Sequence, residues 1–338
     1  MKNVYNFEMV RILTTSGCNL NCTHCYQFFE KNKFILPKDK IVDIIDYACK
    51  NKVENLVLSG GEFFTHPDAY EILDYCISKN VNTVIVTNAT LINLEYFKHC
   101  KYKNLISFQV SIDGMKEKHD LRRGKGTFEC TIKNMKELYT MGFSITISMA
   151  IDENNYTDII EVLNIPYANK VNFLPIAYTG AAVINKENNE DDYQKFNDVM
   201  IKIYKSETEM KVSKNLFPNE LAIKYDGGVY PSAVAQDYDI LLMGNVLNKN
   251  IEDVINSYVC SDEFNKLKYD INKIDECNKC KAKNICNKGC RERAYKVYST
   301  LSAPDPFCCK IYKNEFPDVS ISDIFWGNIK LLGVKNDN

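Results

Sequence analysis

Apolar positions in the first half of the chain come in short bursts at regular intervals. Residues 9–13, 56–58, 83–86, 107–112, 144–149 and 171–175 are mostly apolar rather than strictly alternating, as in parallel strands covered on both faces. Between them, residues 38–49, 68–78, 93–100, 128–139 and 156–163 carry the amphipathic pattern of helices. Alternating strand and helix predicts βαβ units with right-handed crossovers. Six such units predict an α/β fold, a partial (β/α)6 TIM-like barrel.

The loops after the strands carry more information than the strands themselves. The first strand leads into TTSGCNLNCTHC, the second into SGGE, the third into TNAT, and the later ones into DG, DENN and YTG. In a (β/α) barrel these small, polar and charged residues share the C-terminal rim, where barrel enzymes place their active sites. Turn chemistry accounts for Gly, Asn and Asp there, but not for three cysteines in the first loop.

Beyond about residue 179 the alternation stops. Residues 185–192 (NKENNEDD) form a polar stretch, a helical pattern covers 193–205, and YDGGVYP at 225–231 has the form of a hairpin. The expected organisation is a barrel over 1–180, a linking or bridging region over 181–240, and a cysteine-rich domain over 241–338.

Charge excludes some classes of partner. Lys and Arg number 42 against 44 Asp and Glu, a net charge of -2, and the lysines are interleaved with acids, so no basic stripe marks a nucleic-acid binder. No uninterrupted apolar run is long enough to span a bilayer, and the N-terminus lacks a signal peptide pattern, so a soluble, cytoplasmic protein is expected. In that reducing setting 14 cysteines point to metal ligation rather than disulfides. Cys49, Cys76, Cys100 and Cys130 are scattered and are expected as buried, inert thiols, while the others gather near the two ends of the chain.

Cys18, Cys22 and Cys25 offer three thiolates on one short loop. An iron–sulfur cubane uses one thiolate per iron, so three ligands leave one iron open, whereas structural zinc closes with four. The nearest fourth donor, His24, lies inside the Cys22–Cys25 spacing. The motif CNLNCTHC resembles the CxxxCxΦC signature of radical S-adenosylmethionine (SAM) enzymes, with His24 at its aromatic position, and Gly60-Gly61-Glu62 resembles that family's second motif. The resemblance covers roughly residues 9–178. It implies a SAM-binding 4Fe–4S cluster on Cys18, Cys22 and Cys25, with SAM received by His24, Gly60, Gly61 and Glu62. It further implies ribose contacts from Asn88 and Ser111 and a carboxylate contact from Arg123, positions that turn or surface chemistry would also explain. Its chemistry is reductive cleavage of SAM to a 5′-deoxyadenosyl radical that takes hydrogen from a substrate.

The second group, Cys277, Cys280, Cys286, Cys290 and Cys308, resembles the SPASM/twitch-type auxiliary cluster domain of a large radical SAM subgroup, although Cys-x2-Cys alone also suits zinc. The resemblance implies at least one auxiliary 4Fe–4S cluster, held by Cys277, Cys280, Cys286 and Cys308, with Cys290 as the alternative fourth ligand. In full SPASM domains the cluster nearer the active site draws cysteines from a segment that ends in a G-x4-C element. Here Gly227 is followed at that spacing by Ser232, and Cys260 and Cys309 stay unassigned. Sulfatase-maturing members carry Asp where Ala233 stands, which points away from that branch.

The subgroup mostly modifies peptides. The expected function is hydrogen abstraction from a precursor peptide leading to a thioether or carbon–carbon cross-link, with peptide epimerisation as the same-chemistry alternative. A non-catalytic zinc or iron–sulfur protein is the alternative of another class. Implied partners are a flavodoxin- or ferredoxin-type electron donor and, because the chain starts almost at its first strand, a separate leader-peptide recognition protein, unless the barrel itself reads the leader.

Overall fold

The computed structural model describes residues 7–25, 33–152, 154–175, 220–232, 241–261 and 274–280, with 294, 298, 300 and 302–304. The predicted strands are present as β1 (Met9–Leu13), β2 (Asn55–Ser59), β3 (Thr83–Thr87), β4 (Ile106–Ser111), β5 (Ser144–Ile151) and β6 (Lys170–Pro175). The helices between them are α1 (Lys38–Lys50), α2 (Ala69–Ser78), α3 (Leu94–His99), α4 (Lys116–Arg123), α5 (Thr127–Thr140) and α6 (Ile159–Leu163). The six strands lie side by side in sequence order, all parallel. That is the arrangement of a partial (β/α)6 barrel.

Helix α4 has no counterpart in the predicted set. Its sequence, KEKHDLRR, buries His119 and Arg122 while Leu121 is 81% exposed, so the face turned inward is the polar one. A search for apolar periodicity passes over such a helix.

The sheet continues past β1. Strand β7 (Glu220–Ile223) pairs in parallel with β1, and β8 (Gly228–Tyr230) and β9 (Gly244–Asn245) follow antiparallel, giving the order β6-β5-β4-β3-β2-β1-β7-β8-β9. Arg11 on β1 donates to Glu220 on β7 at 2.9 Å, an ion pair across that junction. The expected hairpin is the β7–β8 turn, closed by Gly227 N–H to Lys224 O at 2.8 Å, with Gly227 at φ +85° where a side chain would be strained. Residues 220–232 thus belong to the same sheet as the barrel strands. Helix α7 (Ile251–Val259) follows, capped by the Asn250 side chain, and Asp275–Asn278 forms one further turn, α8. The segments 185–192 and 193–205 lie outside the described residues.

Of the four scattered cysteines expected to be buried, only Cys76 is. Cys49 is exposed, and Cys100, at the C-terminal end of α3, and Cys130 are half-buried. The core is aliphatic along the strands and aromatic where α3 crosses them. Phe97, fully buried on α3, lies edge-on to Phe108 at 5.1 Å and Phe143 at 5.5 Å between ring centres. Phe97→Ala would open a cavity that this packing cannot refill, and a loss of about 3–5 kcal/mol is expected in chemical denaturation of the metal-free protein.

Candidate active site

The loop that leaves β1 contains the three cysteines and no regular secondary structure from Gly17 to Cys25. Its order comes from neighbours. Gly61 N–H donates to Thr15 O at 2.7 Å and Glu62 N–H to Gly17 O at 2.8 Å, so the segment after β2 lies flat against the base of the cysteine loop. A Cβ on Gly61 would stand 2.3 Å from Gly17 O, and one on Gly60 2.4 Å from Thr15 O, while Gly60 also has φ +143°. Two glycines are required because two backbones touch there.

Glu62 is buried, and its carboxylate faces the next strand end rather than solvent. It accepts from Thr87 Oγ1 at 2.8 Å, Asn88 N–H at 2.7 Å and Phe64 N–H at 3.2 Å. Burial pushes its carboxyl up, against those hydrogen bonds. By gripping the turn after β3, Glu62 sets Asn88, whose Nδ2 donates to Asn19 Oδ1 at 3.0 Å and lies 3.9 Å from Cys18 Sγ. Thr90 Oγ1 accepts from Asn19 Nδ2 at 2.8 Å. Ala89 between them sits at φ +61°, a strained conformation for a residue with a side chain.

The other half of the loop rests on α4. Thr23 N–H donates to Arg122 O at 2.9 Å, and the Arg122 guanidinium pairs with Asp152 and donates to Ala150 O at 2.8 Å. Arg123 donates from Nε to Asp113 Oδ2 at 2.5 Å, and Asp113 also lies 3.3 Å from His24 Nε2. Burial works against the Asp113 charge, yet the Arg123 and Arg122 guanidinium groups hold its carboxyl well below the usual carboxylate range. Burial lowers His24 to about 4, and likewise His119, whose Nδ1 accepts from Asp113 N–H at 3.3 Å. Both imidazoles are therefore neutral near pH 7, and among the described residues His24 Nδ1 has no hydrogen-bond partner.

Burial also pushes the Cys18 and Cys22 thiols up, Cys22 to about 11, with Arg123 opposing in both cases. Among the described residues no three His, Cys, Asp or Glu side chains converge as ligands of one metal ion. A cubane cluster makes no such demand, since each of its irons takes its own thiolate. Three thiols on one loop, a buried cation beside them and a glycine cradle beneath fit an anionic, thiolate-held cluster.

The structure therefore gathers Cys18, Cys22, Cys25, His24, Gly60, Gly61, Glu62, Asn88 and Arg123 around one loop. Ser111 ends β4 on the same rim, two residues before Asp113, with no side-chain hydrogen bond among the described residues. Cys277 lies within the α8 turn and Cys280 two residues past it, where Cys280 N–H donates to Cys277 O at 3.2 Å. Cys286, Cys290 and Cys308 lie outside the described residues. Sequence patterning marks Asp113 only as a turn residue and does not single out Asn19. The signal it holds for Asp113 is an acid directly after a rim strand with an arginine ten positions on.

Comparison with known proteins defines the class. The profile of the radical SAM superfamily matches residues 12–165, which run from the end of β1 through the cysteine loop to α6. An iron–sulfur cluster-binding domain, SPASM, matches residues 217–281. The chain thus carries a radical SAM domain and, after it, a SPASM iron–sulfur cluster-binding domain. Among curated relatives, an AdoMet-dependent heme synthase of Methanosarcina barkeri is 26% identical over 87% of this chain and 94% of its own length. The antilisterial bacteriocin subtilosin biosynthesis protein AlbA of Bacillus subtilis is 36% identical, over 43% of this chain and 33% of its own. In fold, the chain is similar to Streptococcus suis SuiB, solved bound to precursor peptide SuiA, with TM-score 0.70, 19% identity, and coverage of 90% of this chain and 76% of that one. Among the described residues no helix is long and apolar enough to cross a membrane.

This geometry has two measurable outcomes. Gly61→Ala must push the cysteine loop off its bed, so it is expected to cost about 1–3 kcal/mol and to lower iron uptake, measured as iron per chain after anaerobic reconstitution. The second concerns pH. His24 and His119 titrate near 4 in the fold and near 6.5 unfolded, so the unfolded chain binds more protons between those values. Stability of the metal-free protein should be full above pH 6.5 and fall as pH drops toward 4, on the order of 1–3 kcal/mol per histidine. Urea melts across that range check it, with His119→Gln expected to flatten the profile.

Proposed function

We propose that the chain is a peptide-modifying radical SAM enzyme that uses Cys18, Cys22 and Cys25 as the ligands of its SAM-binding 4Fe–4S cluster. The observation that carries this is the three-thiol loop laid on the Gly60–Gly61 backbone with Arg123 beside it. When bound, the cluster and SAM supply a 5′-deoxyadenosyl radical that abstracts hydrogen from substrate. The chain's own residues hold and shield that chemistry. Gly60 and Gly61 let the segment after β2 lie directly against the base of the cysteine loop. Arg123, whose Nε is taken by Asp113, has its η nitrogens to offer a carboxylate, and His24 Nδ1 has no hydrogen-bond partner among the described residues. Asn88, already engaged with Asn19, contributes by holding the Cys18 end of the loop as well as by any contact to ribose, and Ser111 stands ready on β4.

A peptide substrate is supported by AlbA, a bacteriocin biosynthesis protein matched over the barrel, and by the fold shared with SuiB. The favoured reaction is a thioether or carbon–carbon cross-link in a ribosomally made peptide, with epimerisation as its alternative. In this reading the SPASM region holds at least one auxiliary 4Fe–4S cluster through Cys277, Cys280, Cys286 and either Cys308 or Cys290, and it passes the surplus electron outward. A flavodoxin- or ferredoxin-type donor supplies the reducing electron, and a separate protein presents the peptide's leader.

One observation favours a second reading. The heme synthase aligns over 94% of its own length, AlbA over 33%. A radical enzyme acting on a porphyrin side chain shares all the cluster machinery above and differs only in its substrate.

The test is anaerobic reconstitution with iron and sulfide, reduction by dithionite, and assay of 5′-deoxyadenosine. The wild type is expected to release it, and Cys18→Ala, Cys22→Ala and Cys25→Ala each to fall at least about 100-fold. Absence of 5′-deoxyadenosine from the wild type overturns the proposal. With a short precursor peptide from a neighbouring gene, loss of two hydrogens marks a cross-link. One deuterium gained from deuterated water marks epimerisation, and turnover of a porphyrin with no peptide consumed favours the second reading.

A further inference from the structure

Asp113 lies two residues beyond β4, and none of its side chain reaches solvent. Each of its acceptors is used. Oδ1 accepts from Ala150 N–H on β5 at 2.9 Å, and the backbone carbonyl accepts from Asn155 Nδ2 at 3.0 Å. Oδ2 takes Arg123 Nε on α4 at 2.5 Å and faces His24 Nε2 at 3.3 Å. One carboxylate thus joins the ends of β4 and β5, helix α4 and the cysteine loop.

Both partners on Oδ2 belong to the surroundings of the thiols. His24 is the residue directly before Cys25 and two after Cys22. His24 Nε2 faces Asp113 Oδ2 at 3.3 Å, which fixes the ring plane, while Nδ1 has no hydrogen-bond partner among the described residues. Arg123 is close enough to Cys22 and Cys25 for their charges to act on one another, and its orientation is set by the bond from Nε. Without Asp113, a guanidinium only 12% exposed would lack its counter-ion.

We propose that Asp113 is the positioning residue of the cysteine loop: a single oxygen fixes the imidazole between Cys22 and Cys25 and aims the guanidinium that balances the charge of the cluster they hold. The inference rests on the ligand assignment proposed above. Hydrogen bonding and charge close to cluster sulfurs set the reduction potential. Asp113 and Arg123 together are neutral. Removing only the acid leaves an uncompensated cation that favours the reduced, more negative cluster. Removing only the base does the reverse.

The experiment compares Asp113→Asn, Arg123→Gln and the double variant with the wild type after anaerobic reconstitution. It follows iron retention against a chelator and the midpoint potential of the paramagnetic signal that responds to added SAM, and it records the melting temperature before loading. Asp113→Asn is expected to shift the potential upward and Arg123→Gln downward, each with about 10- to 100-fold weaker iron retention. The double variant should fall between them and recover melting temperature lost by the singles. Arg123→Lys, which keeps the charge, should hold the potential near the wild type even where Asp113→Asn alone fails to fold. Potentials that stay at the wild-type value, or that move in one direction in all variants, overturn the inference and leave Asp113 as a fold element. A wild type with no SAM-responsive signal overturns the ligand assignment itself, and this inference with it.

Discussion

Two hydrogen bonds, Gly61 N–H to Thr15 O and Glu62 N–H to Gly17 O, are the contact on which the site depends. The cysteine loop has no internal ladder of its own, and three thiols cannot be held in one arrangement by a chain that is free to wander. The ordering is imported from the next strand end, and it works only because Gly60 and Gly61 let backbone touch backbone. From there the constraint passes sideways. Glu62 turns its carboxylate to Thr87 and Asn88, Asn88 turns to Asn19, and the Cys18 end of the loop is fixed by a residue one strand further on.

The opposite end of the loop is held by different means. Instead of close backbone contact there is buried charge: Arg122 with Asp152, and Arg123 with Asp113. Such pairs add little net stability over an apolar substitute, because each ion must first lose its water. Their contribution is direction, since a guanidinium bound through Nε can point only one way. A site that must carry anionic sulfur gains more from an aimed cation than from another leucine.

Much of this is legible in the chain itself. The six strands are placed within two residues of their ends, because parallel strands buried on both faces write themselves as apolar bursts. The cysteine loop and the Gly60–Glu62 segment are equally plain. Helix α4 is not, since its inward face is His119 and Arg122 while a leucine, Leu121, stands exposed. Asp113 is hidden for the same reason: an Asp-Gly after a strand looks like any turn until the fold brings Arg123 and His24 against it. Polar residues that face inward are the part of a site that periodicity does not register, and here they are the part that orients the loop. The placement of β7 is also out of reach, because pairing across more than two hundred residues leaves no local trace.

That pairing has a consequence for how the molecule can be taken apart. Strand β1 carries the cysteine loop and receives β2 on one side and β7 on the other, so the SPASM-region strand seals the flank of the very strand that begins the barrel. A chain ending after β6 would bare a row of unpaired amide and carbonyl groups along β1 and strand Arg11 without Glu220, an open invitation to edge-to-edge association. The two modules therefore share one seam. They can be separated or swapped with a relative's only by carrying β7 across with the barrel.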